Sequence, residues 1–241
     1  PQWTVDGTKI IGVEALLRWE SKEHGRISPA RFIPLAERSR LILQLGQWVF
    51  QRACSFARRL AAMGRSDIRV AVNISSRQLK EEGFVSFIVE TLEAHGVQPS
   101  QIELEVTESV FIDNMEGSIF KLKQLKERGI QLSVDDFGTG FSSLSYLRKL
   151  PVNCLKIDKS FVDNIACDEL QFQFVNSIIN MGHTLGVSIV AEGVETEEQR
   201  SRLSQCHCDY VQGYLLSKPI MEEEAVAAIL GATVKREDRF H

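Results

Sequence analysis

The chain has 241 residues, a formal net charge of −4, 44% hydrophobic and 25% charged residues, and 16 Gly with 6 Pro. That balance describes a soluble globular protein with a sizeable core and excludes disordered, collagen-like and coiled-coil chains. The length suits one α/β barrel of about 250 residues better than two ordinary domains, and the mildly negative charge argues against duplex nucleic acid or an anionic membrane surface as partner.

At the N-terminus, Gln2–Val5 and Thr8–Ile11 are extended runs around Asp6-Gly7, a strong two-residue hairpin signal. Pro1–Val5 therefore reads as what is left of a largely truncated first strand, antiparallel to the next; Pro1 is not a native start, which leaves an upstream address open. Strands are expected at Ile10–Trp19, Ile68–Ile74, Ile102–Thr107, Gln131–Asp135, Cys154–Asp158, Val187–Ala191 and Tyr210–Gln212. Helical periodicity covers Leu41–Met63, Gln78–Ala94, Ser118–Arg128, Glu169–Leu185, Glu197–Leu203 and Glu222–Leu230, with Gly129 as a helix stop and Thr196 with Gln199 as a capping box.

Short strands alternating with helices are the mark of βα repetition, and the hairpin strand brings the strand count to the eight that close a barrel. The expected fold is α/β, a modified (β/α)8 TIM-type barrel over residues 1–231 with one antiparallel strand, followed by a polar C-terminal tail at 232–241. The longest stretch free of formal charge, Leu170 to Ala191, is interrupted by Gln171, Gln173, Asn176, Asn180 and Gly186, so it reads as a helix and a strand rather than a membrane span. An odd, scattered set of five cysteines implies reduced thiols and a cytoplasmic setting; Cys206-His207-Cys208 lacks a second pair at zinc-ligand spacing. Trp3, Trp19 and Trp48 are expected to pack, with Trp19 beside Arg18 at the border of a pocket, and no histidine stands at a strand end.

Polar residues do stand at the strand ends: Glu14 and Arg18, Asn73, Glu105 with Thr107 and Glu108, Asp135-Asp136, Lys156 with Asp158, Glu192 with Glu195, and Gln212. A barrel gathers the C-terminal ends of its strands at one mouth, so these acids would meet there. Several carboxylates in one mouth repel unless protons or cations neutralise them, and a set of hard oxygen ligands suits Mg²⁺ or Mn²⁺. The adjacent acids Asp135-Asp136 could serve two ions about 3.5–4 Å apart, an arrangement that activates water for phosphoryl displacement. Taken singly, each residue has a plain structural explanation: Glu14 as a satisfied buried acid, Asn73 as a cap, Asp135-Asp136 as a turn, Lys156 as a salt-bridge partner. Their joint placement weakens that explanation. The Gly- and Ser-rich run from Phe137 to Ser143 suits a lid or a ligand-responsive loop.

Read together, the blocks Glu14-Ala15-Leu16-Leu17-Arg18, Asn73-Ile74-Ser75, Glu105-Val106-Thr107-Glu108, Asp135-Asp136-Phe137-Gly138-Thr139-Gly140, Leu155-Lys156-Ile157-Asp158, Glu192-Gly193-Val194-Glu195 and Gln212-Gly213-Tyr214 resemble the EAL-domain family of cyclic di-GMP phosphodiesterases, in that family's order from Glu14 to Pro219. The resemblance implies metal-dependent hydrolysis of cyclic di-GMP to linear pGpG with two divalent cations, Mg²⁺ or Mn²⁺. It implies Glu14, Asn73, Glu105 and Asp135 around the first ion and Asp135, Asp136 and Glu192 around the second. Lys156 would contact the attacking water, with Glu195 and Gln212 in support. Arg18 is implied on a substrate phosphate, and Leu16, Asp158 and Pro219 on the substrate face. Glu108 would pin the loop that holds Phe137, Gly138, Thr139, Gly140, Ser142 and Ser143 and lies against a homodimer interface. A longer protein would add an upstream sensor or a GGDEF diguanylate cyclase domain.

Two rival readings stand beside this one. The barrel could be a catalytically weak or silent cyclic di-GMP receptor that signals to a partner. It could also be a lyase or aldolase using Lys156 as a Schiff base, which the surrounding acids disfavour because they raise an amine's pKa.

Overall fold

The computed structural model describes residues 1–113, 115–138 and 147–231. The tail at 232–241 and the loop residues Thr139, Gly140, Ser142 and Ser143 lie outside the described residues. The chain opens with β1 (Gln2–Thr4), turns at Asp6-Gly7 and returns as β2 (Ile10–Ala15). Asp6 fixes the turn: its Oδ1 accepts from the Thr8 amide at 3.0 Å and from the Thr4 and Thr8 hydroxyls at 2.5 and 2.8 Å. Gly7 supplies the left-handed backbone, φ +72°.

A small separate sheet of β3 (Trp19–Ser21) and β4 (Gly25–Ile27) follows, then α1 (Pro29–Arg38) and α2 (Leu41–Ala62). The rest is βα repetition: β5 (Arg69–Asn73), α3 (Ser76–Lys80), α4 (Phe84–His95), β6 (Ile102–Thr107), α5 (Val110–Asp113), α6 (Met115–Glu127), β7 (Gln131–Phe137), β8 (Cys154–Ile157), α7 (Lys159–Val162), α8 (Glu169–Thr184), β9 (Ser188–Ala191), α9 (Glu197–Gln205), β10 (Tyr210–Val211) and α10 (Glu222–Ile229). The barrel closes in the order β1-β10-β9-β8-β7-β6-β5-β2. β1 runs antiparallel to both its neighbours and every other barrel pairing is parallel, so this is the expected TIM-type barrel with one antiparallel strand.

Strand periodicity sorts the side chains into two environments. Val70, Val72, Ile102, Leu104, Val106, Leu132, Val134, Leu155, Ile157, Ile189 and Ala191 join the apolar core with Leu60, Ile88, Leu122 and Ile179 of the surrounding helices. Burying each large aliphatic side chain there contributes about 1.5–3 kcal/mol. The alternate residues Glu103, Glu105, Ser133, Lys156 and Gln2 are equally buried but polar, and they fill the inside of the barrel. Helix ends are secured as the sequence suggests: Thr196 and Gln199 form a capping box at α9, and Gly129 takes φ +92° after α6.

The structure corrects several expectations. The strand expected over Ile10–Trp19 leaves the barrel after Ala15, because its neighbour β5 offers pairing only as far as Ala15↔Val72; Trp19 then pairs with Ile27 in the small sheet. The single helix expected over Gln78–Ala94 is broken, since Glu81 is extended and the Lys121 ammonium takes the carbonyls of Leu79, Lys80 and Glu81 at 2.8, 3.1 and 2.7 Å. Trp19 and Trp48 are exposed rather than packed in the core, although the Trp19 ring meets Phe32 edge to face at 5.6 Å. The cysteines are free, and burial pushes the Cys206 and Cys208 thiols up to about 11 and about 12, which fits core residues. Among the described residues no helix is long and apolar enough to cross a membrane.

Candidate active site

The C-terminal ends of the parallel strands bring the predicted residues to one mouth. Glu14 is the penultimate residue of β2, Asn73 ends β5 in register with Glu105 of β6, and Asp135 of β7 pairs with Thr107. Lys156 is on β8, while Glu192 and Gln212 follow β9 and β10 directly. Two backbone devices shape this rim. Asp136 takes a left-handed φ of +54° where the β7–β8 register shifts, so two consecutive acids both reach the mouth. A side chain at Gly213 would collide with the backbone of Val194, which explains why the block after Gln212 needs glycine.

Lys156 is the centre of the site. Its side chain has 0% exposure, and Nζ lies 2.8 Å from Glu192 Oε1, 2.9 Å from Glu105 Oε2, 3.1 Å from Asp135 Oδ1 and 3.8 Å from Glu14 Oε2. Glu14 is held from both sides, accepting from Asn73 Nδ2 and Gln212 Nε2 at 2.7 Å each. Asp135, Asp136 and Glu192 present one oxygen each within 4.8 Å of one another.

One ammonium cannot balance this many carboxylates, and the ionisation of the cluster shows it. Burial pulls the Lys156 ammonium down, but Glu105, Glu14, Glu192 and Asp135 outweigh burial and hold its pKa well above the lysine range. Lys156 stays charged, which removes the neutral amine a Schiff-base enzyme needs. Burial raises Glu105 well above the carboxylate range, against Lys156 and with Glu14 and Asp135 adding to the rise. Glu192 is raised by burial to about 7. Asp136 is raised by burial and by Asp135 and Asp158 beside it. Burial also opposes the charge on Glu14, yet Lys156 with the Gln212 and Asn73 hydrogen bonds holds it below the usual value.

The donor set fits divalent cations. It is all oxygen, from four carboxylates around Lys156, the adjacent Asp136 and the Asn73 amide, the choice of hard ions such as Mg²⁺ or Mn²⁺. Two buried acceptors, Glu105 Oε1 and Gln212 Oε1, have no hydrogen-bond partner among the described residues and carry lone pairs ready for a cation or its water shell.

Leu16 and Arg18 are exposed just beyond β2, and Arg18 Nη1 donates to the Leu17 carbonyl at 2.9 Å. Asp158 caps α7, its Oδ1 accepting from the Ser160 amide at 3.0 Å. Glu108 Oε1 accepts from the Gly138 amide at 2.9 Å, while Phe137 is buried and Pro219 half-buried. Glu195 is exposed and engages the Lys159 ammonium on the rim, apart from the Lys156 cluster. Lys159 was missed at the sequence level, although it directly follows Asp158; its stem packs against Gly193, where a side chain would collide with it.

Comparison with known proteins bears on the family and the fold. The EAL domain family matches residues 1–219. The bifunctional diguanylate cyclase/cyclic di-GMP phosphodiesterase MucR of Pseudomonas aeruginosa is 44% identical over 220 residues, 91% of this chain and 32% of that protein. The cyclic di-GMP phosphodiesterase NbdA of the same species is 43% identical over 212 residues, 88% of this chain and 27% of that protein. The chain thus spans about a third or less of the length of these relatives. The solved structure of the P. aeruginosa MucR phosphodiesterase in complex with c-di-GMP superposes with a TM-score of 0.89 at 43% identity, covering 93% of this chain and 91% of that one.

Proposed function

The chain belongs to the EAL domain family, and from that premise we propose that it is a metal-dependent phosphodiesterase that hydrolyses cyclic di-GMP to linear pGpG. The observation that carries the reading is the ring of Glu14, Glu105, Asp135 and Glu192 around Lys156, with Asp136 and Asn73 beside it. Glu14, Asn73, Glu105 and Asp135 would hold one divalent cation, and Asp135, Asp136 and Glu192 a second. Two bound ions, Mg²⁺ or Mn²⁺, supply an activated water and offset the charge of the phosphodiester.

The residues of the chain do the rest. Gln212 and Asn73 fix both oxygens of Glu14, which orients that ligand before anything binds. Lys156 donates a hydrogen bond to the attacking water and offsets the charge that grows on the phosphoryl oxygens. As the water oxygen bonds to phosphorus and the water gives up a proton, the opposite P–O3′ bond breaks in line, and the departing O3′ takes up a proton from solvent to leave as the 3′ hydroxyl. Glu195 supports the water shell from the rim, and Arg18 binds a substrate phosphate bidentately. Leu16, Asp158 and Pro219 border the nucleotide. Glu108 holds the Gly138 amide. The coverage of about a third of MucR supports a longer protein carrying a sensor or a GGDEF domain. A homodimer and a cytoplasmic setting complete the reading.

The test is direct. Purified protein with Mg²⁺ or Mn²⁺ should convert cyclic di-GMP to pGpG, followed by chromatography, and excess chelator should stop it. Tight binding of cyclic di-GMP with no product after a long incubation would identify a receptor instead.

A further inference from the structure

We propose that Tyr214 is a stacking platform for one guanine of the cyclic dinucleotide, with the Lys218 ammonium held against its ring in support. The proposal deepens the phosphodiesterase reading and rests on it. Each base of that substrate is joined through one ribose to the phosphodiester, so a phosphorus held over the acidic cluster leaves its nearest base at the rim of the mouth. An aromatic face at the rim can hold it, because every base offers a π-face of its own.

Tyr214 stands at that rim because its backbone is bound to the segment that carries Glu192. The Gln212 amide donates to the Ala191 carbonyl at 2.8 Å, the Val194 amide to the Gln212 carbonyl at 3.1 Å, and the Leu215 amide to the Val194 carbonyl at 3.0 Å. Gly213, between them, lies directly on the Val194 backbone. The Gln212 side chain in turn donates to Glu14 of the acidic cluster at 2.7 Å. Tyr214 is two residues further on, at most about 7 Å along the chain. From the β8 side, Lys159, which engages Glu195, is in electrostatic reach of the Tyr214 phenol.

Packing does not account for this ring. Leu215, Leu216 and Ile220 lie against the core, whereas Tyr214 is 59% exposed. The turn after it, in which the Leu216 and Ser217 amides donate to the Gly213 carbonyl at 3.2 and 3.1 Å, brings Lys218 Nζ to 6.0 Å from the Tyr214 ring centroid. An ammonium at that distance is attracted to the ring and restrains it. The platform is thus ordered before a base arrives, which lowers the entropy lost on stacking. Lys218 also sets positive charge near the guanine edge, where O6 and N7 are acceptors.

Steady-state kinetics and a fluorescence probe test the platform. Y214A should raise KM for cyclic di-GMP about tenfold with kcat within about twofold, while its melting temperature and Mn²⁺ affinity match those of the unmodified protein. Y214F keeps the ring face and should hold KM within about twofold. K218A should raise KM about threefold, since the ring remains. In Y214W, cyclic di-GMP should quench the added indole beyond any change in the unmodified protein. An unchanged KM in Y214A, a Y214F variant as impaired as Y214A, a Y214A variant that melts several degrees lower, or a Y214W indole indifferent to the dinucleotide would each overturn the platform. No hydrolysis of cyclic di-GMP by the unmodified protein would instead sink the phosphodiesterase reading beneath it.

Discussion

Two charged clusters occupy the inside of the same barrel, and they are built on opposite plans. Toward the strand N-termini, Arg69 Nε faces Glu103 Oε2 at 3.3 Å, one cation to one anion, with the Arg69 guanidinium also over the Tyr210 ring. Two residues further along β6, Glu105 joins Glu14, Asp135 and Glu192 around a single lysine. The lower pair is balanced and the upper ring is not. In a βα barrel the N-terminal face serves stability and the C-terminal face chemistry. Here that division shows as charge accounting: the lower pair is neutral as one cation against one anion, and the upper ring carries more carboxylates than its one lysine offsets.

This contrast makes opposite predictions for removing a carboxylate from each cluster. D135N should lower turnover of cyclic di-GMP by about 100-fold or more, because it weakens ligation to both ions. In chelator its melting temperature should hold or rise, since repulsion is relieved while Lys156 keeps its other partners. A fall of several degrees in D135N would mean the ring is structural. E103A should show the reverse pattern, losing about 3–5 kcal/mol in urea unfolding by leaving Arg69 uncompensated. The kcat of its folded fraction should stay near that of the unmodified protein, and a collapse of kcat at intact stability would merge the two clusters into one.

Acidity sharpens the comparison further. Burial lifts Glu192 in the folded chain from its ordinary 4.5 to about 7, so its contribution to stability is present below about 4.5 and is lost as pH rises through 7. The metal-free protein should therefore weaken across that window. Mn²⁺, which binds the ionised form, should raise the melting temperature more near pH 8 than near pH 5. Equal gains at both values would contradict the cation reading of the ring. The smallest effect belongs to the loop. E108A removes the bond to the Gly138 amide and should cost about tenfold in turnover with Mn²⁺ affinity within a few-fold. Unchanged turnover in E108A would free the loop from Glu108.

Much of this was legible in the sequence because single residues dictate it. Asp6-Gly7 forces the hairpin that supplies the antiparallel eighth strand, and two-residue alternation along Ile102–Thr107 places Glu105 inside. The acids at the strand ends fall together once the barrel closes. Other features depend on tertiary partners with no local signature. The break after Lys80 is made by Lys121, more than forty residues away on α6. The β3–β4 hairpin turns at Lys22-Glu23-His24, which lacks a strong turn dipeptide, and Pro34 inside α1 hides that helix. Lys156 reads equally well as a water contact or a salt-bridge partner, and only the geometry puts its ammonium between four carboxylates.

The position of Lys156 has one more consequence. Its ammonium is tethered to β8, so it confronts the carboxylates at an effective concentration that no free ion in solution matches. A dication entering the ring would have to win its ligands from this resident competitor. The ring thus keeps an internal counter-charge of its own, whatever else enters it.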